Sequence, residues 1–301
     1  MKKKKMLVLG GTGFVGSYIN AALGSKYDVY LAGHEVDVRN AECVRELVAL
    51  HMPDEVMHLA AISSVGESFQ DPGETYQVNF LGTLNLLSAL KDGGFRGRML
   101  YVGSSDTYGL VDPASLPVVE GFPLKPRNPY AVSKVAAEAL CYQWSQTEPF
   151  EVVMVRPFNH IGPGQSERFV ISDFARQVVE IKGGLRPSLI RVGDIDVTRD
   201  FTDVRDVVRA YALLLERGGN GEVYNVCSGQ ERSVLSVLEL LLRLAGVEAE
   251  IVQDAERLRK SEQRRVFGSF AKLHEATGWQ PEIPFEQSLK DILTDWEKKL
   301  L

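Results

Sequence analysis

Short apolar runs that stop at glycine or small residues alternate along this chain with longer stretches of helical periodicity. Met6-Leu7-Val8-Leu9 ends at Gly10, and Ser17–Leu23 follows as a helix. Asp28–Ala32, the run from Glu55 into the small residues Ala60 and Ala61, Met99–Val102 and Glu151–Arg156 read as further strands. Continuous apolar runs of this length suit strands buried on both faces, as in parallel sheets. Between them, Ala41–Leu50, Thr75–Leu90 and Tyr130–Trp144 carry helix-forming residues. Strand and helix in alternation predict an α/β fold of Rossmann type, a doubly wound parallel sheet. Farther along, Phe169–Ile181 and Val207–Glu216 read as helices and Leu189–Val192 as a strand. The expected division places the sheet in residues 1–158, with 196–226 returning to it. A smaller C-terminal substrate-binding α/β part comes from 159–195 and 227–301, with a cleft between the two.

Composition narrows the class. The 301 residues are 45% hydrophobic and 25% charged, ordinary for a globular protein. A formal net charge of -6 argues against a nucleic-acid binder. Cys43, Cys141 and Cys227 are widely spaced, fit no metal pattern or disulfide framework, and suit a reducing cytoplasm. The opening Lys2–Lys5 run precedes an apolar run too short for a signal peptide. No apolar run approaches the ~20 residues of a membrane span.

Candidate chemistry lies where the strands end. Gly10, Gly13 and Gly16 form a strand–glycine turn–helix unit, spaced Gly-x-x-Gly-x-x-Gly, that lets a pyrophosphate reach backbone N–H groups at a helix N-terminus. An NAD-selective protein carries an acid at the tip of the second strand. Here that tip reads Gly33-His34 with Glu35 next, and no arginine fork for a 2′-phosphate is evident, so the lean to NADPH over NADH is slight. Asp37 suits either an adenine amino group or the N-cap of the next helix. His58 reads as a packed histidine, and Asn79 as a surface or helix–helix hydrogen bond. Ser104 and Ser105 follow the Met99–Val102 strand, either against a substrate oxygen or as a self-satisfied turn. The loop from Arg156 to Gln165 follows another strand end. Asp203 or Asp206 suits a helix N-terminus, and Arg199 a phosphate. Arg257, Arg259, Lys260, Arg264 and Arg265 form either a solvated face or a diphosphate clamp.

Tyr130-Ala131-Val132-Ser133-Lys134 is the strongest single clue. On a helix Tyr130 and Lys134 share a face. An ammonium beside a phenol favours the phenolate and lowers its pKa, so that Tyr130 becomes a usable proton donor or acceptor near neutrality. Such a pair also arises by chance on an amphipathic helix, and its weight comes from the glycine turn upstream.

These motifs, with Arg199–Asp206, Asn225–Gly229 and Gly278-Trp279-Gln280-Pro281, fall in the order seen in extended short-chain dehydrogenases/reductases, and the resemblance covers essentially the whole chain. The Arg156–Gln165 stretch most resembles GDP-6-deoxy-4-keto-D-mannose reductases and their relatives, the GDP-mannose 4,6-dehydratases. The resemblance implies Tyr130 and Lys134 as the catalytic pair and Ser104 as the catalytic serine, with Ser105 as the fallback. It implies Gly10, Gly13, Phe14, Val15 and Gly16 for the pyrophosphate, and Asp37 and Val38 for the adenine end. Leu59, Ala60, Ala61 and Pro157 join Tyr130 and Lys134 in the implied cofactor site. Asn159, Arg199 and Arg259 are implied to face a GDP-sugar substrate, although Lys260 stands where the family often has proline.

A dehydratase of this kind needs a carboxylate base that the reductase does not. Asp106 stands at the family's glutamate position, one methylene shorter, which keeps that alternative open. The short chain and the lack of a long basic insertion after the second strand favour a reductase, with GDP-D-rhamnose as the expected product. A non-catalytic dinucleotide sensor is the remote alternative, disfavoured because Tyr130 and Lys134 are intact. By analogy with the family, the outer helices Thr75–Leu90 and Tyr130–Trp144 would pair two subunits into a homodimer.

Overall fold

The computed structural model describes residues 3–257 and 263–301. Its strands are β1 (Lys4–Leu9), β2 (Tyr27–Ala32), β3 (Glu55–His58), β4 (Arg98–Val102), β5 (Glu151–Pro157), β6 (Asn159–Ile161), β7 (Leu189–Val192), β8 (Thr198–Asp203), β9 (Val223–Val226), β10 (Glu231–Ser233) and β11 (Glu250–Gln253). In the first half the helices are α1 (Gly16–Leu23), α2 (Ala41–His51), α3 (Val65–Gln70), α4 (Pro72–Tyr76), α5 (Gly82–Asp92) and α6 (Pro129–Thr147). The second half adds α7 (Val170–Lys182), α8 (Val204–Arg217), α9 (Val234–Ala245), α10 (Ala271–Thr277) and α11 (Phe285–Leu300).

Six strands form one parallel sheet in the order β2-β1-β3-β4-β5-β9. β1 shows why the run Met6–Leu9 is unbroken in apolar character. Leu7 and Leu9 enter a core with Leu86 and Leu90 of α5 and Cys141 of α6, whereas Met6 and Val8 enter the opposite core with Ile19 of α1 and Tyr211 and Leu214 of α8. Helices on both faces make this the Rossmann-type, doubly wound α/β fold. The chain leaves β1 for β2 on one side and continues to β3 on the other, so the crevice between β1 and β3 is the switch point at which such sheets bind ligands.

A second body packs α7, α9 and α11 around Ile190, Val192 and Phe201. It carries the three-stranded sheet β10-β8-β6 and the parallel pair β11-β7. β8 thus belongs to the smaller sheet, while α8 and β9 return to the large one. Leu273 of α10 and Trp279 also enter the large sheet's core.

Two elements differ from the sequence expectation. The segment expected as one helix over Thr75–Leu90 is α4, a π turn at Gln77–Leu81 and then α5. Asp71 caps α4 by accepting from the Glu74 N–H at 2.8 Å, with Pro72 opening the helix. α8 begins at Val204 rather than Val207, because Asp203 caps it by accepting from the Arg205 N–H at 2.8 Å. Asp206 lies buried in the first turn and accepts from the Glu282 and Ile283 N–H groups.

Candidate active site

The glycine turn closes against the β3 end. Gly10 has φ +77°, and a Cβ there would stand 2.7 Å from the Ala60 nitrogen. At Gly16 a Cβ would meet the Gly11 carbonyl oxygen at 2.4 Å. Packing within the protein therefore demands glycine at both. At Gly13 a Cβ would meet only the Gly10 oxygen, at 3.2 Å, so the outer side of the turn stays open to a ligand. α1 has no side-chain cap and no acid in its first turn, a fit to the pyrophosphate of a dinucleotide. Phe14 stacks on His160 with centroids 5.9 Å apart, and the Tyr18 hydroxyl donates to the Pro163 carbonyl at 2.6 Å. These contacts bring the Arg156–Gln165 loop over the turn.

Asp37 does not cap α2. Asn40 does, accepting from the Glu42 and Cys43 N–H groups. Both Asp37 carboxylate oxygens accept from Arg39, which also donates to Glu74. Val38 is buried, with its methyl group in the space a Cβ on Gly82 would need. His58 is packed as expected: its Nε2 lies 3.0 Å from Thr83 Oγ1, and burial pushes its pKa down to about 3.

Asn128 caps α6 by accepting from the Ala131 N–H at 2.7 Å, and Pro129 opens the helix, which puts Tyr130 in its first turn. Tyr130 is 9% exposed. Ser104 ends the β4 segment and caps the short 3₁₀ turn Ser105–Tyr108, accepting from the Asp106 N–H at 3.1 Å. Lys134 donates to the Val102 carbonyl at 2.8 Å and lies 5.9 Å from the Tyr130 ring centroid. Burial pulls the Lys134 pKa down to about 8.

The electrostatics correct the expectation for Tyr130. Its pKa is raised, first by burial and then by the negative charge of Asp106, with the Ser104 side chain opposing both. Desolvation outweighs a lysine whose ammonium is engaged by a backbone carbonyl. Tyr130 is therefore a phenol rather than a phenolate at neutral pH. Of the two serines, Ser104 is the one whose side chain hydrogen-bonds Tyr130; Ser105 lies in the 3₁₀ turn.

On the small sheet, Asn159 pairs in register with Phe201, and Arg199 with Arg232. The Arg199 guanidinium donates to the Thr198 and Gln263 carbonyls, both at 2.7 Å. Arg259 and Lys260 lie outside the described residues. The described members of the basic cluster are ion-paired: Arg257 with Asp173, Arg264 with Asp194 and Arg265 with Glu231. The described residues contain no cluster of metal-ligating side chains.

Two features go beyond the sequence reading. Asn79, 1% exposed, accepts from the Ile62 N–H and donates to the Ile62 carbonyl and to Ser133 on α6. It is a helix–helix hydrogen bond and a clamp on the chain after Ala61; the π turn that places it has no plain sequence signal. The second is a buried network. Arg156 donates to both Glu138 oxygens at 2.8 and 2.5 Å, to the Tyr108 hydroxyl and to the Glu120 carbonyl. Tyr108 in turn donates to Asn225 at 2.6 Å. This network ties α6 to the turn that begins at Ser104.

A parallel sheet with a glycine turn at its switch point, and a Ser–Tyr–Lys set at a neighbouring strand end, define a short-chain dehydrogenase/reductase. More narrowly, residues 25–292 match the GDP-mannose 4,6 dehydratase family, and the chain belongs to it. It is 51% identical to a GDP-6-deoxy-D-mannose reductase of Pseudomonas aeruginosa over 99% of this chain and 98% of that one. The solved structure of RMD from Pseudomonas aeruginosa complexed with NADPH superposes with a TM-score of 0.94 at 50% identity, covering 99% and 100% of the two chains. A UDP-glucose 4-epimerase from Thermotoga maritima, solved with UDP-glucose, superposes at 0.90 with 26% identity, covering 99% and 100%.

Proposed function

We propose that this protein reduces the C4 ketone of GDP-4-keto-6-deoxy-D-mannose to a GDP-6-deoxyhexose, GDP-D-rhamnose, with NADPH or NADH as reductant. The observation that carries this reading is the end-to-end 51% identity to a GDP-6-deoxy-D-mannose reductase in a chain that keeps Ser104, Tyr130 and Lys134 together. The dinucleotide would lie on Gly10, Gly13, Phe14, Val15 and Gly16, with Asp37 and Val38 at its adenine end. Leu59, Ala60, Ala61, Pro157, Tyr130 and Lys134 would flank its nicotinamide end, and Asn159 and Arg199 would face the sugar nucleotide.

When bound, the reduced cofactor supplies a hydride for C4. Ser104 orients the carbonyl by donating to O4. Tyr130 gives its phenolic proton to O4 as the hydride arrives, so the ketone gains both to become an alcohol. Lys134, in its ammonium form, offsets the phenolate left behind and holds the nicotinamide ribose. The raised Tyr130 pKa favours this direction, because a reductase must begin with the proton on its acid.

The dehydratase reading differs in the path of the hydride, which there would leave C4 for the oxidised cofactor and return from it to C6 of the same sugar. With reductant deuterated at the transferable position, the product should carry deuterium at C4. Deuterium-free product, or a C6-reduced 4-keto sugar made from GDP-mannose, would transfer the assignment to the dehydratase, with Asp106 as its base.

The Lys134 shift sets a pH dependence. Its folded pKa of about 8 lies below the ordinary 10.5. Between these values the unfolded chain binds a proton that the folded chain does not, so this group makes stability rise with pH through that window. Catalysis runs the other way, since kcat/KM falls as pH rises through about 8 and the ammonium is lost. A flat kcat/KM profile from neutrality to the lysine range contradicts the role given to Lys134.

We further infer a cytoplasmic setting, which the free cysteines Cys43, Cys141 and Cys227 suit. Among the described residues no helix is long and apolar enough to cross a membrane. A homodimer through the outer helices is supported by exposed Tyr76 and Leu81 beside α6, which itself exposes Val132 and Tyr142. Sedimentation should give twice the 33.4 kDa chain mass. A single-chain mass at all concentrations overturns the dimer.

A further inference from the structure

Two buried polar side chains that the reaction does not use stand behind Asn79. His58 ends β3 at 2% exposure, and its Nε2 faces Oγ1 of the equally buried Thr83, in the first turn of α5. The Thr83 hydroxyl donates to the Asn79 carbonyl at 2.7 Å. A hydroxyl has one proton to give, so Thr83 can only accept from His58, and the ring carries its proton at Nε2. Burial, and after it the charge of Lys134, keeps His58 neutral, so this linkage is the same at any working pH. Nδ1 is buried with no partner among the described residues. An unpaired buried acceptor is destabilising, and an apolar side chain in this place would avoid it. What the imidazole adds here is the Nε2 donor.

The carbonyl that Thr83 engages belongs to the π turn Gln77–Leu81. Such turns inside helices are found largely at functional sites. From this one the Asn79 amide accepts from the Ile62 N–H at 2.8 Å and donates to the Ile62 carbonyl at 3.1 Å, directly after the Ala60-Ala61 pair. It also donates to Ser133 on α6 at 2.9 Å, and Ser133 donates to the Tyr130 carbonyl at 2.7 Å. One buried line of hydrogen bonds thus runs from the end of β3 through Thr83 and Asn79 to the backbone of Tyr130.

We propose that His58 and Thr83 are positioning residues that fix the π turn and, through Asn79, set Tyr130 in the first turn of α6 against the chain that follows Ala61. This rests on the proposed reductase reading.

The test uses Thr83→Val, which keeps the shape and removes the hydroxyl, Thr83→Ser, which keeps the hydroxyl, and His58→Phe, alone and combined with Thr83→Val. Turnover of GDP-4-keto-6-deoxy-D-mannose is expressed per dinucleotide-binding site, so that lost folding is not counted as lost catalysis. Thr83→Val and His58→Phe should each lower kcat per site at least about tenfold, since a misplacement of about 1 Å can cost about 10²-fold. Thr83→Ser should keep kcat near that of the parent. The double variant should lose no more than the worse single one, as two links of one line do. Parent-like kcat per site in Thr83→Val, an equal loss in Thr83→Ser, losses that multiply in the double variant, or turnover that falls only in step with the number of binding sites overturns the positioning role. A parent that binds dinucleotide and reduces no ketone overturns the reductase reading on which that role rests.

Discussion

Tyr130→Phe should lower kcat by ~10²–10⁴-fold while leaving dinucleotide affinity nearly unchanged, since that is the usual worth of a positioned general acid. The phenol is buried, protonated at neutral pH, and set beside Ser104 by the Asn128 cap and Pro129. Phe keeps the ring and its packing and removes only the hydroxyl, so loss of turnover with cofactor binding retained isolates proton transfer from folding. Turnover within about tenfold of the parent would remove Tyr130 from the acid's role, as would loss of cofactor binding in the same proportion.

Arg156→Met should cost stability more than any surface change. Arg156 and Glu138 are both buried, and the arginine also serves the Tyr108 hydroxyl and the Glu120 carbonyl. Removing one partner strands the Glu138 carboxylate in the core, at a cost of about 3–5 kcal/mol. In thermal unfolding this is a drop in Tm on the order of 10 °C. Because Tyr108 closes the turn that begins at Ser104, kcat should fall as well in whatever fraction stays folded. The double variant Glu138→Leu with Arg156→Met removes both charges and should recover much of the stability. A single variant that loses no more than about 1 kcal/mol would show the pair to be energetically idle.

The large sheet was legible because its signal is redundant. β1, β4 and β5 each contain an apolar run of four residues, Met6–Leu9, Met99–Val102 and Val152–Val155, and the glycine turn marks where β1 ends. Tyr130 and Lys134 were legible because helical spacing alone puts them on one face. What sequence could not supply was environment. The ammonium was expected to lower the Tyr130 pKa, but burial dominates, and the depth of burial is a tertiary fact. Asp37 suited either an adenine contact or the cap of α2, and Asn40 takes the cap because its side chain reaches both first-turn N–H groups. A run of basic residues looked like one feature until Asp173, Asp194 and Glu231, distant in sequence, divided its described members among them. At the β2 tip the strand's own residues supply no acid, and Glu35 folds back from beyond it to accept the Gly33 N–H, a local contact that sequence order does not show.

The most direct measurement of the central claim is the oxidation of reduced nicotinamide by the purified protein given GDP-4-keto-6-deoxy-D-mannose. The account predicts rapid loss of the NADH or NADPH signal, one equivalent for each equivalent of ketone, and formation of a GDP-6-deoxyhexose. No loss of signal under conditions where the dinucleotide binds would contradict it.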